Sequence, residues 1–307
     1  MPLENCLQHI AEDGTALSAS ALTELSDLSP GELGRFARAW FRVLNERREK
    51  VIERLAEMAE ENAELDFNAV FKMCLKDPDE GVRQKAIAGL WEFEDRSLIT
   101  YLVEILKSDR SGQVRASAAA ALGKFASLAQ DGKILSKDGE MVKNALMRAL
   151  QDDKEWLEVR RRALESVAPF NAPDIDEHVQ WAYDSDDLDL KCSSLYAMGK
   201  TGDSKWLPLL FRELQNPSPP IRYEAATACG ELDNEEATPH LVSLLHDDDL
   251  QVQLAAINSL GAIGGPLAKR ALRRCLKEGD SALEDAARDA LENIQAMEDP
   301  LAFSYEL

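Results

Sequence analysis

Seven stretches of the chain align with one another without a gap: VRQKAIAGLW, VRASAAAALG, VRRRALESVA, LKCSSLYAMG, IRYEAATACG, VQLAAINSLG and LEDAARDALE. They begin at Val82, Val114, Val159, Leu190, Ile221, Val252 and Leu283, at intervals of 32, 45, 31, 31, 31 and 31 residues. A recurring unit of this length cannot bury its own apolar face. The chain is therefore constrained to stack units on one another rather than to wrap one central core.

The units share a physical pattern. Let i be the first residue of each aligned stretch. Position i is aliphatic, and i+4 is small: Ala86, Ala118, Ala163, Ser194, Ala225, Ala256, Ala287. Position i+8 is apolar: Leu90, Leu122, Val167, Met198, Cys229, Leu260, Leu291. On a helix these three positions share one face, and a small residue in its middle lets a neighbouring helix come close. Gly123, Gly199, Gly230 and Gly261 stand at i+9, where the pattern predicts that the helix stops. A second apolar helix precedes, ending near i−7 at Leu75, Leu214, Leu245 and Leu276. Position i−5 carries Asp77, Asp109, Asn216, Asp247 or Glu278 in a short turn. Each unit thus reads as helix A, a polar turn, then helix B. Position i+1 is Arg83, Arg115, Arg160, Lys191 or Arg222 in the first five units. These bases are expected to tie their own turn to the acidic turn residue of the same or the next unit, so the series reads as structural rather than as a ligand ladder.

The pattern L-x-D…V-R-x-x-A-x-x-A-L-G resembles the HEAT family, in particular its short subclass named after phycobilisome lyases, over residues 67–295. The resemblance implies an all-α fold: a right-handed α-solenoid, or HEAT-like superhelix, of stacked antiparallel helix pairs. The expected organisation is a divergent helical N-terminal cap at 1–66, seven HEAT-like repeats at 67–297 and a C-terminal tail at 298–307. In the cap, Ser29-Pro30-Gly31-Glu32 has the form of a capping box with proline at the first helical position. A charged amphipathic helix follows, with Val51, Ile52, Leu55 and Met58 as its stripe. The long interval before Val159 holds 14 extra residues, 45 − 31, around 126–139, and two glycines with mixed charge there predict a surface loop.

Charge and motif content narrow the function. The net charge is 35 − 56 = −21, which repels phosphate backbones and favours a basic partner, so nucleic acid is excluded as the expected ligand. A HEAT-type glycosylase, which the resemblance would also allow, is disfavoured for the same reason. Five cysteines lie far apart, without a C-x-x-C or Cys/His cluster; neither a disulfide framework nor zinc is expected, and a reducing cytoplasm fits. The N-terminus lacks the form of a signal peptide, and no apolar run of membrane-spanning length occurs. HEAT members that are deoxyhypusine hydroxylases use His-Glu pairs to hold two irons, and no His-Glu dipeptide occurs here. His246 before Asp247-Asp248-Asp249 lacks calcium-loop spacing and reads as a solvated turn. No P-loop, nucleophile elbow or zincin motif is present. No catalytic residue, metal or cofactor is assigned, and the chain is expected not to be an enzyme.

In HEAT arrays the B helices line the concave face, as the resemblance implies. Positions i+2, i+3 and i+6 should then face a groove. In the third to sixth units these include Arg161, Arg162, Glu165, Tyr196, Tyr223, Glu224, Thr227 and Asn258. Exposed Tyr and Arg are frequent anchors of interfaces. The first two units present small residues there and read as a smooth alanine wall. The expected function is a scaffold or adaptor that binds another protein or peptide on this face. A subunit similar to the bilin lyase/isomerases is the alternative.

Overall fold

The computed structural model describes residues 2–12, 16–278 and 281–298, and all of its regular structure is helical. The chain forms two compact units, one ending at Ser166 and the other beginning at Val167. The expected tail at 298–307 lies, but for Glu298, outside the described residues.

In the first unit, α1 (Pro2–Ala11), α2 (Ala19–Leu22), α3 (Pro30–Trp40) and α4 (Asn45–Glu61) precede the repeats. Three helix pairs follow: α5 (Asn68–Cys74) with α6 (Glu80–Gly89), α7 (Ser97–Ser108) with α8 (Gly112–Gln130), and α9 (Ser136–Gln151) with α10 (Leu157–Val167), whose last residue opens the second unit. In the second unit the pairs are α11 (Pro173–Tyr183) with α12 (Leu188–Lys200), α13 (Leu207–Glu213) with α14 (Pro219–Glu231), α15 (Thr238–Ser243) with α16 (Leu250–Ile263), and α17 (Gly265–Glu278) with α18 (Ser281–Glu298). Within the units, B helices pack on successive B helices: α4 on α6 and α6 on α8; α12 on α14, α14 on α16 and α16 on α18.

The i, i+4, i+8 face is the core, as expected. Val82, Val114, Val159 and Val252 are fully buried, and so are all seven small residues at i+4. The capping box at Ser29 is formed: its side chain accepts from the Glu32 N–H, while the Glu32 carboxylate accepts from the Ser29 N–H.

The glycines at i+9 do not end their helices. Gly123, Gly199, Gly230 and Gly261 all lie inside B helices. Their role is close approach. A Cβ at Gly199 would sit 2.8 Å from the Ala228 Cα, one at Gly230 2.6 Å from the Ser259 Oγ, one at Gly261 2.7 Å from the Ala290 Cβ, and one at Gly123 2.9 Å from the Ser166 Oγ. The residue met is in each case at i+7 of the next repeat, and it is Ala or Ser. Glycine and a small residue thus form a seam along which successive B helices touch.

The insertion is not a loop either. Its residues lengthen α8 to 19 residues and α9 to 16, leaving a turn at 131–135 in which Gly132 takes φ +68°. Phe125, Ala126 and Leu128 continue the buried stripe of α8, and Asp138, held by Arg96 at 2.9 Å, is buried in α9. Helix propensity and a continued apolar face outweigh the two glycines.

Candidate functional site

The arginine ladder fixes how the B helices are presented. Asp109 Oδ1 accepts the N–H of Ser111, closing the turn, and both carboxylate oxygens accept from Arg83 of the preceding repeat at 2.7 Å. Asp247 does the same with the N–H of Asp249 and with Arg222 at 2.7 and 2.6 Å. Each arginine also donates to the carbonyl of its own i−5 residue, Arg83 to Asp77 and Arg222 to Asn216. Planar guanidinium and carboxylate make such bidentate pairs geometrically specific. Arg115 uses Glu155 instead of an aspartate.

Two variations were not legible as part of the ladder. Arg48 of α4 reaches the buried Asp77 at 3.3 Å, and Trp40 Nε1 donates to the same carboxylate at 2.7 Å. The first rung therefore lies before the first aligned repeat. It was hidden because Arg47 replaces the aliphatic residue at i; its guanidinium donates to the carbonyls of His9 and Ile10 at the end of α1. In the fourth unit Lys191 replaces arginine, and Asn216 replaces the aspartate of the next turn. The buried Glu213 supplies the missing carboxylate, accepting from Tyr183 Oη and Asn216 Nδ2, with Lys191 at 3.8 Å. Burial alone would raise the Glu213 carboxyl. The hydrogen bonds and the cations Lys191 and Arg212 outweigh it and hold the group below its ordinary value.

Of the eight residues assigned to a binding face, the structure brings three into one groove. Tyr223, Thr227 and Asn258 line a cavity of about 690 Å³ between α14 and α16, together with Leu254. Glu231, on its rim, pairs with Lys200 at 2.8 Å, and the same ammonium stands 5.4 Å from the ring centre of the exposed Tyr196. Glu224 is half-buried on α14. Arg161, Arg162 and Glu165 belong to the first unit, on α10. There Arg161 and Arg162 pair with Glu158 at 2.7 and 2.9 Å, and Arg162 with Glu165 at 2.9 Å. These charges are largely matched within one helix.

The alanine wall of the first two units is in fact one side of a second groove, of about 610 Å³, between α6 and α8. Its lining is mostly apolar, with Gln84, Ser117 and Lys124 as the polar members, and Trp91 is 58% exposed at its edge. The signal available in the sequence was Trp91 itself, which stands at i+9 where four other repeats have glycine.

The acidic turn after His246 is structural: Asp247 holds Arg222, and Asp249 caps α16 by accepting from Gln251 and Val252. Among the described residues no three His, Cys, Asp or Glu side chains come together as a metal would need. His9 Nε2 accepts the Ser18 N–H, and His240 stacks on Phe211 at 4.1 Å. No helix of the described residues is long and apolar enough to cross a membrane.

Comparison with known proteins gives the following. The family model described as HEAT repeats matches residues 67–168, 175–252 and 207–292. Human deoxyhypusine hydroxylase is 29% identical over 111 residues, 36% of this chain and 37% of the enzyme. The phycocyanobilin lyase subunit alpha of Microchaete diplosiphon is 35% identical over 88 residues, 27% of this chain and 30% of that protein. The chain thus matches about a third of the length of these relatives. Among solved structures, Escherichia coli YibA superposes with a TM-score of 0.45 at 20% identity, over 78% of this chain and 95% of that one. One expectation is corrected here. Relatives that share the repeats are themselves enzymes, so the assignment of this chain as a non-enzyme does not stand.

Proposed function

The chain belongs to the HEAT-repeat family, and on that footing we propose that it binds a polypeptide partner along the groove between α14 and α16. The observation that carries this reading is the convergence of Tyr223, Leu254, Thr227 and Asn258 on one face: an aromatic, an aliphatic and two neutral hydrogen-bonding side chains. An exposed aromatic amid short polar groups is the composition of an interface centre. Tyr196 and Glu224 extend this surface in the same unit, and Arg161, Arg162 and Glu165 form a polar rim on theirs. The net charge of −21 favours a basic partner and disfavours nucleic acid. The proposed compartment is the cytoplasm, in keeping with five cysteines that form no disulfide.

The test is affinity capture from the native cell with the wild-type chain and with a Tyr223→Ala, Asn258→Ala variant, read by quantitative mass spectrometry. A specific partner should fall at least about tenfold with the variant, since hot-spot truncations exceed about 1.4 kcal/mol. Equal recovery refutes the groove. The match to a lyase subunit supports a second reading, in which the partner is a bilin-carrying protein. Mixing the chain with phycocyanobilin and an apo-phycobiliprotein and following red absorbance separates the two.

A further inference from the structure

The groove of the first unit arises from unequal B helices. In α6 a Cβ at Gly89 would lie 2.6 Å from the Phe71 ring, and the helix stops there, whereas α8 continues to Gln130. On the α6 side the later turns of α8 therefore lack a matching B-helix neighbour. The space left is walled by Ile87, Ala88, Ala120, Leu98 and Phe125, with Trp91 over one edge. Lys124 also borders it, but its ammonium donates to the carbonyls of Trp91 and Phe93, so its stem faces the space while its charge caps the broken helix end. Burial lowers the Lys124 pKa, in keeping with an amine drawn in among apolar walls. Beside Trp91 stand Glu92 and Glu94, both exposed; Lys124 lies within their field, as Lys133 does within that of Glu94, but neither glutamate closes an ion pair within 4 Å among the described residues.

A cavity of this size suits one or two large side chains, and Trp91 offers apolar area that a protein surface ordinarily covers. Exposed carboxylates at the same edge attract cations, the Lys124 ammonium being taken up by backbone carbonyls, and the net charge of −21 adds to that field. We infer that the α6/α8 groove receives an aliphatic or aromatic side chain of a polypeptide segment whose flanking residues are lysine or arginine. The segment buries its anchor against Trp91, Leu98 and Phe125, and its flanking cations meet Glu92 and Glu94. An anionic lipid surface is repelled by the same charges, as is a second copy of this acidic chain. The site is separate from the α14/α16 groove and does not depend on it.

The experiment selects random dodecapeptides, displayed on phage, against the full chain. A recovered peptide is then synthesised with a fluorophore, and its affinity is measured by anisotropy. The expected consensus is a Leu, Phe or Trp anchor with Lys or Arg within a few positions. Ala120→Trp, at an exposed position, should fill the groove and weaken binding at least tenfold, and Trp91→Ala should do the same without adding bulk. Glu92→Lys with Glu94→Lys should remove the preference for basic flanks. Tyr223→Ala should leave binding unchanged. No enriched peptide of this kind, or wild-type affinity in both Ala120→Trp and Trp91→Ala, overturns the inference. Peptides sensitive to Tyr223→Ala but not to Ala120→Trp would do so too, while favouring the groove of the second unit.

Discussion

Replacing Gly199 by alanine should destabilise the second unit, while the same replacement at Gly34 should stabilise the first. At Gly199 the added Cβ would stand 2.8 Å from the Ala228 Cα, 3.1 Å from its Cβ and 3.2 Å from the Glu231 Cβ. Carbon atoms rest at about 3.5–4.0 Å, so α12 and α14 must part by about 0.7 Å. Because the nearest obstacle is backbone, no rotamer change relieves it. Overpacking of this kind costs about 1–3 kcal/mol, and the better helix propensity of alanine returns about 1 kcal/mol. The net loss should be about 1 kcal/mol. At Gly34, inside α3, the nearest neighbour is the flexible Arg38 guanidinium at 3.9 Å, so the gain of about 0.5–1 kcal/mol stands alone. Repeat arrays depart from two-state unfolding, so the assay is amide hydrogen exchange resolved by helix rather than a single melting curve. Protection in α12 and α14 should fall in the first variant, and protection in α3 should rise in the second. A rise in α12 protection for Gly199→Ala would refute the seam.

Other perturbations address the ladder and the thiols. Asp77→Ala leaves the buried Arg48 without its counter-charge and should cost about 3–5 kcal/mol in the hydrogen-exchange protection of α4 and α6, and Asp77→Asn, which can still accept from Trp40, should cost less. The hydrogen bonds from Arg222 hold the Asp247 carboxyl below its usual range. A depressed folded value means that the stabilisation is complete above the unfolded pKa of about 3.9 and is lost as the pH falls through the folded one. Arg222→Gln should therefore flatten the acid limb of stability against pH below about 4, and an unchanged slope would count against the rung. Burial pushes the thiol of Cys6 up to about 11, that of Cys229 up to about 12, and that of Cys74 well above its ordinary value. Iodoacetamide on the folded chain should label the half-buried Cys192 and Cys275, leaving the other three until denaturant is added, as peptide mapping would show.

The core face was legible because period and residue size act together: an aliphatic at i, a small residue at i+4 and an apolar one at i+8 admit one helix face and no other. The ladder was legible because Arg222 and Asp247 carry complementary charge at a fixed offset. Glycine misled where it has two uses. At a helix end it supplies a left-handed backbone, and at Gly199 or Gly230 it supplies room, and the letter alone does not separate them without the partner at i+7. The same ambiguity turned 126–139 into a loop, although only Gly132 takes the positive φ and Gly139 is buried inside α9. Tyr223, Thr227 and Asn258 follow from helix register, whereas the groove at Trp91 depends on where α6 stops, which the Phe71 ring decides from another helix.

The bidentate aspartates have a mechanical consequence. In Asp109 or Asp247 one carboxylate both closes its own turn and clasps the arginine before it, so the edge of the array that carries the turns behaves like the spine of a book, with fixed spacing between pages. The glycine contacts hold the far end of the same B helices. Within the second unit the compliance is then left to the fore-edge, where α13 and α15 continue into 3-10 turns at 204–206, 235–237 and 244–246 and so lack an unbroken α-helical ladder. A ligand that bends this unit would fan those mixed helices while α14 and α16 keep their spacing.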